Sequence, residues 1–419
     1  MVNINDFSAC NIMVDESWNF GNATEWLMHS IHSYPAKFPA FIASKAFEYA
    51  ESEGICVKKV ADVFCGCGTV ALESKLHGKD FWGCDINPVA ALIANVKSAS
   101  YKIDTLQKYY DIIYKDMMAY NAPDFLYEQA NERLQYWFER ENYLALYEIK
   151  HAIECSVPKG KYKNFFLCVF SSILKSASKW LTKSIKPQID PYKKRVDVKD
   201  IFSSQFQKFL CAVKEIDDIA HNSEVHIRCN NFLKIKKLPV VDLILTSPPY
   251  VTSYEYADLH QLSSLWLDFV QDYRALRKGS IGSSYNHTLP LSDVEKLNET
   301  ARNIILQLRQ TDVPASKIHS ITRYFLDLQQ TAEKCSRMLH PGGMAFFVIG
   351  DTEYKGVPVQ NSKHLIQSLL ETGFSHIKIG KRKISKKILT PYRDQFGRFS
   401  SNDTAKKVYH EEWIISGRM

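Results

Sequence analysis

The residues best placed to do chemistry follow an apolar run. Val240–Thr246 reads as a buried strand and leads directly into Ser247, Pro248, Pro249 and Tyr250. Prolines cannot continue a sheet ladder, so the chain after Thr246 is expected to form a rigid extended arch. Such an arch holds carbonyl oxygens outward at the carboxyl end of a strand, where α/β proteins bind ligands. Ser247 adds a hydroxyl acceptor, and Tyr250 a flat surface on which a nucleic-acid base can stack.

A second constellation lies upstream. Asp62, Val63, Phe64, Cys65, Gly66, Cys67, Gly68 and Thr69 sit where the strand-like KKVADVF meets the helix-like TVALESKLHG. Glycines at such a turn let a ligand approach the backbone, with helix N–H groups directed at it. The loop is not G-x-G-x-x-G, because residue 71 is alanine, and no Gly-Lys-Ser/Thr follows to make a phosphate loop. Asp85 ends the next strand, DFWGCDI, where a carboxylate can accept from both hydroxyls of a ribose. The pair indicates an adenosine-containing cofactor without choosing which.

Stepping outward, these residues need a parallel sheet to carry them. NPVAALIANVKSAS reads as a helix with Pro88 in its first turn. EVHIRCN, VVDLILT and MAFFVIGD read as further strands, and FLDLQQTAEKCSRMLHPGG as a helix leaving through Pro-Gly-Gly. HIKIGKRKI and VYHEEWIIS are expected as late antiparallel strands. Between 101 and 225 the periodicity is helical, with few strand or hairpin signals. The expected organisation is one α/β domain, residues 1–100 and 226–419, interrupted by a basic helical insertion at 101–225.

On these motifs the sequence resembles the amino-group DNA methyltransferases, in particular their cytosine-N4 branch. DVFCGCGT is similar to the family's D-P-F-x-G-x-G-T loop, with Val63 in place of proline. TSPPY resembles the catalytic motif, and HPGGMAFFVIGD a later strand. HSYPAKFP (His32 to Pro39) resembles the segment that covers the methionine end of the cofactor. The resemblance implies a Rossmann-like class I methyltransferase sheet and S-adenosylmethionine as cofactor. It implies contacts from Tyr34, Lys37, Asp62, Phe64, Gly66, Gly68, Thr69, Asp85, Ile86 and Asn230. The acidic residue that such enzymes place before the catalytic strand is represented here by Asn230 or Asn231.

The chemistry fits the resemblance. An exocyclic amine is a poor nucleophile because its lone pair is delocalised into the ring. Accepting its hydrogens on Ser247 Oγ and the Pro248 carbonyl would free that lone pair for direct displacement. Methylation at carbon-5 would need a nucleophilic cysteine after proline, and the chain has no Pro-Cys dipeptide. The target base must leave the duplex stack to reach the arch. The function expected is therefore N4 methylation of cytosine in double-stranded DNA, with a restriction endonuclease as a companion. Adenine-N6 methylation, RNA base methylation and non-catalytic nucleic-acid binding stand as the alternatives. His29, His32 and His260 are expected in structural roles, since amine methylation needs no base, and Tyr254 is expected to line the pocket.

Composition agrees. At 45% hydrophobic and 24% charged, the chain of 419 residues is that of an ordinary globular protein. No apolar run approaches the ~20 residues of a membrane-spanning helix, and no secretory signal is visible, so a cytoplasmic setting is expected. Ten cysteines at irregular spacing read as reduced thiols, with no metal site at Cys65, Cys67 and Cys84. The net charge of +7 is segregated. Residues 150–208 hold thirteen Lys/Arg against four acids, and residues 378–407 hold ten against two. Two basic surfaces on an acidic body, facing phosphates, are expected.

Overall fold

A computed structural model describes residues 1–3, 12–19, 25–217, 219, 222–251, 255–286, 291–384, 392–393, 406–407 and 411–419. Eight strands form the main sheet: β1 (Val2–Asn3), β2 (Lys59–Asp62), β3 (Asp80–Asp85), β4 (Val225–Cys229), β5 (Val241–Thr246), β6 (Leu339–Ile349), β7 (Ser375–Lys383) and β8 (Glu411–Arg418). Their order across the sheet is β1-β7-β8-β6-β5-β2-β3-β4. The five strands from β4 to β6 are parallel. β8 is antiparallel to both β6 and β7. This is the Rossmann-like α/β sheet that the sequence led us to expect. From β2 the chain builds outward through β3 and β4, then crosses back to lay β5 on the other side. The order therefore reverses between β2 and β5, and a crevice opens at their carboxyl ends.

The apolar runs become strands because both sheet faces are covered. On one face α1 (Ala40–Ser52) packs Ile42, Ala46 and Phe47 against Val60, Phe81, Leu243 and Phe346. On the other, Ala61, Ile244 and Phe347 meet the helices α8 (Glu299–Arg309), α9 (Ala315–Met338) and α10 (Asn361–Glu371) through Ile305, Tyr324, Leu328 and Leu365. One strand differs from expectation. β6 starts at Leu339 and carries the Pro-Gly-Gly segment within it, whereas the sequence reading ended the preceding helix through those residues and began the strand at Met344. The chain terminus explains this: Gly342 N–H donates to the Met419 carbonyl and Met419 N–H to that of Gly343. A register shift between Val241 and Leu243 accommodates the irregular start.

The helices that deliver the site follow β2 and β3. α2 (Thr69–Leu76) and α3 (Pro88–Ser98) are buried over most of their length, and Asn87 caps α3 by accepting from Val89 N–H. The segment between α3 and β4 contains α4 (Ile103–Ala119), α5 (Arg140–Ser156), α6 (Lys161–Ala177) and α7 (Val198–Asp217), with long connections at 120–139 and 178–197 and a short turn between α5 and α6. Their core is continuous with that of α2 and α3: Leu72, Ile93 and Val96 join Leu106, Leu146, Phe166, Phe170 and Phe206 in one cluster. Tyr110 and Phe206 stack there with ring centres 4.0 Å apart.

The basic surface expected on this segment is smaller than its charge count. Lys175, Lys193 and Lys208 donate to main-chain carbonyls, as do Lys161 and Lys199. Lys150 and Lys199 also pair with carboxylates of Asp268 and Glu148. Ammonium groups near helix ends satisfy carbonyls that have no intrahelical partner, so these charges serve the fold. In the second basic run, Lys378, Lys381, Arg382 and Lys383 each pair with a glutamate. Most of the remainder of that run, like Tyr254, lies outside the described residues.

Candidate active site

The loop after β2 is built for close approach. Gly66 and Gly68 have φ of +47° and +77°, which side-chain-bearing residues rarely adopt. A Cβ at Gly68 would lie 2.6 Å from that of Ala94, so helix α3 packs directly on the loop backbone. Thr69, at the start of α2, is buried beneath it.

Asp85 holds this loop from β3. Its Oδ2 accepts from Gly66 N–H at 2.9 Å and its Oδ1 from Asn87 N–H at 2.8 Å. Each carboxylate oxygen retains capacity for a further donor, which suits a ligand with two neighbouring hydroxyls. Burial pushes the carboxyl up to about 6, against the pull of the two N–H groups.

Asp62 faces the other way. Its Oδ1 accepts from Thr246 Oγ at 2.6 Å and from Phe64 N–H at 3.0 Å. It thus fastens the end of β2 to the end of β5, where the strand order reverses. Burial pushes its carboxyl up to about 7. Burial also raises the thiols of Cys65 and Cys84.

Beyond Asp85, half-buried Ile86 and Phe64 give an apolar wall, with Phe64 edge-on to Phe232. Asn230 N–H donates to the Asp85 carbonyl at 2.9 Å, and its side chain is exposed. The side chain that crosses the cleft is that of Asn231, whose Nδ2 donates to the Gly279 carbonyl at 3.1 Å. Gly279 lies over Ile86: a Cβ there would be 3.7 Å from Ile86 Cδ1. A strap of chain, residues 272–286, therefore closes this end.

Tyr34 covers the other end. A Cβ on Gly66 would meet its ring at 3.4 Å. The ring stacks on His260 at 5.0 Å and on Tyr256 at 6.3 Å. Lys37 points its ammonium at Glu25 (2.6 Å) and the His29 carbonyl (3.4 Å). His32 Nδ1 contacts the Ser33 carbonyl and Nε2 the Ser171 hydroxyl, both at 2.9 Å. Burial holds His32 down at about 4 and His260 at about 3, so both imidazoles are neutral near pH 7. His29 pairs with buried Glu73 at 2.7 Å.

The arch after β5 completes the site. Ser247 Oγ donates to the Val348 carbonyl at 2.9 Å. Tyr250 is a second hydrogen-bonding neighbour of this hydroxyl, and while its hydrogen rests on Val348 the oxygen can only accept from any other group. Pro248 is buried, and Pro249 and Tyr250 are half-buried. The Tyr250 ring lies against Gly350 at the end of β6, where a Cβ would come within 2.8 Å of it. Its hydroxyl donates to Glu412 Oε1 at 3.0 Å, and Glu412 Oε2 accepts from Arg382 Nε at 3.1 Å. Gly350, Arg382 and Glu412 escaped the sequence reading. Two lie on antiparallel strands far along the chain, and no local motif links them to Tyr250.

With the geometry in hand, relatives can be compared. No family model matches the chain. It is 23% identical over 403 residues to the Type II methyltransferase M.MvaI of Kocuria varians, covering 87% of this chain and 86% of that protein. It is also 23% identical over 397 residues to the Type II methyltransferase M.BsoBI of Geobacillus stearothermophilus, covering 81% and 77%. Among solved structures, the rRNA methyltransferase AviRa of Streptomyces viridochromogenes aligns over 94% of this chain and 90% of its own. Its TM-score of 0.32 and identity of 8% are too low to bear on the site.

Proposed function

We propose that this chain is a DNA methyltransferase that uses S-adenosylmethionine and modifies the N4 amine of cytosine in a specific duplex sequence. The two Type II methyltransferases that the chain resembles over most of its length support the coarser statement, a DNA methyltransferase. A cognate endonuclease and a cytoplasmic setting follow from that reading. Among the described residues no helix is long and apolar enough to cross a membrane.

The residues present fit the cofactor. Gly68 lets α3 pack against the loop backbone, Gly66 lies under the Tyr34 ring, and Asp85 offers paired oxygens to a ribose. Ile86 and Phe64 would flank the adenine, and Tyr34 would close over the methionine end. When bound, S-adenosylmethionine supplies a methyl group on a positively charged sulfur, a strong electrophile.

The chain's own contribution is to aim and activate an amine. The observation that carries this reading is the Ser247–Val348 hydrogen bond. With its hydrogen on the Val348 carbonyl, Ser247 Oγ accepts one amine hydrogen while the Pro248 carbonyl accepts the other. The nitrogen then becomes more tetrahedral and its lone pair is available. Tyr250, immobilised by Gly350 and Glu412, offers one ring face to a base flipped from the duplex. A hydroxyl suits a pyrimidine amine, whereas the longer carboxylate or amide side chain found before Pro-Pro-Tyr in adenine enzymes reaches further. Mass spectrometry of nucleosides from treated DNA tests the proposal. N4-methylcytosine is expected; N6-methyladenine, or modification of RNA alone, would overturn it.

A further inference from the structure

The helical segment and the strap 272–286 are separate in sequence. A row of stacked side chains joins them. Arg277 lies over Tyr285 at 4.3 Å and over Tyr273 at 5.5 Å. Tyr273 also meets Arg133 at 5.7 Å, and Arg133 lies over Tyr136 at 4.8 Å and Trp137 at 5.3 Å. Trp137 stacks on Trp180 at 5.0 Å. Trp180 opens the loop 178–197, which Lys193 locks by donating to the carbonyls of Lys175 and Trp180.

The row is tied at both arginines to the two short helices, Tyr256–Leu259 and Gln261–Trp266, that follow the arch in sequence. Arg277 pairs with Asp258 at 2.7 Å, and Arg133 Nε donates to Gln261 at 2.7 Å. Asp258 and Gln261 flank His260, which stacks on the Tyr34 that covers the cofactor loop. The two outlying pieces are therefore fixed to one another and to the site.

Both pieces present positive charge and aromatic surface to solvent. Lys183, Lys186 and Lys194 are exposed on the loop, with Tyr192 at 91% exposure at its tip. Lys278 and Tyr285 are exposed on the strap. These lysines differ from Lys161, Lys175, Lys193, Lys199 and Lys208, whose ammonium groups bind main-chain carbonyls.

We propose that loop 178–197 and strap 272–286 form one docking surface for duplex DNA, held in register by the arginine–aromatic row. The inference rests on the reading of the chain as acting on DNA. Phosphates would meet Lys183, Lys186, Lys194 and Lys278, and the row would transmit the docked position to the arch through Asp258 and Gln261.

The test is fluorescence anisotropy of a labelled duplex against salt, using the full chain. K183E/K186E/K194E is compared with K108E/K115E/K214E, three exposed lysines of α4 and α7 carrying the same change in net charge. The loop triple should flatten the log–log slope by roughly 0.9 for each lysine that faces a phosphate. The control triple should leave the slope near that of the parent. Equal flattening by both triples, or none by the loop triple, overturns the surface. So does a change confined to RNA binding. S-adenosylmethionine affinity, measured by calorimetry on the same proteins, should be unaltered by either triple. If no protein, parent included, binds the cofactor, the reading of the site fails instead.

Discussion

The Tyr250 hydroxyl donates to Glu412 across 162 residues of sequence, at 3.0 Å, while Arg382 holds the second oxygen of that glutamate. The ring that we propose receives a flipped base is thereby anchored through its hydroxyl, while Gly350 lies against it. Removing the acceptor should loosen the ring without touching the cofactor. Tyr250→Phe and Glu412→Ala should each raise the KM for DNA, by an amount equivalent to about 1–3 kcal/mol. The double variant should cost little more than the worse single one, because both delete the same bond. Additive effects in steady-state kinetics would dissociate Glu412 from Tyr250. Unchanged calorimetric affinity for the cofactor guards against a general loss of fold.

Asp85 carries the second expectation. Asp85→Asn retains one acceptor oxygen but loses the charge, so cofactor affinity should fall by about 1.5–3 kcal/mol. Because burial raises this carboxyl to about 6, affinity in the parent should also weaken as pH drops through that value. Isothermal titration between pH 5 and 8 would show both effects. A flat profile with unchanged affinity for the variant would remove Asp85 from the cofactor site.

The cofactor loop can be tested through Gly68. With φ of +77° and Ala94 only 2.6 Å from an added Cβ, Gly68→Ala imposes backbone strain and a clash together. The expected loss of stability is roughly 2–4 kcal/mol. Denaturant unfolding within 1 kcal/mol of the parent would mean that the loop and α3 are not packed as described.

His32 gives a pH dependence with a definite sign. Its imidazole is held at about 4 when folded, against about 6.5 when unfolded. Between those values the unfolded chain binds more protons, so stability is full above about 6.5 and declines as pH falls towards 4. His32→Gln can still meet the Ser33 carbonyl and Ser171, yet cannot titrate. Its melting temperature should therefore drop less between pH 7.5 and 5 than the parent's. An identical drop in both proteins would contradict the account.

What could be read in the sequence was whatever chemistry is local. Gly66, Gly68 and Asp85 announced themselves because a strand, a glycine turn and a helix leave a contiguous signature. Ser247–Tyr250 did so because two prolines after an apolar run have few other uses. The sheet followed from the same runs. Contacts between remote strands left no such trace: Glu412 looked like one more polar residue in VYHEEWIIS, and Gly350 like the end of a strand. Charge counting misled in its own way. Lys193 and Lys199 contribute to a basic tally, yet their ammonium groups bind carbonyls inside the fold, which no composition can reveal.

We propose that Ser247 Oγ accepts a hydrogen of cytosine's amine. The most direct measurement is nucleoside mass spectrometry of duplex DNA methylated by the purified parent and by Ser247→Ala. The parent should yield N4-methylcytosine. The variant, which keeps Pro248 and Tyr250 but loses the acceptor, should bind DNA with little change and turn over far more slowly, since the bond tightens as the nitrogen becomes tetrahedral. N6-methyladenine from the parent, or N4-methylcytosine formed at undiminished rate by the variant, would contradict it.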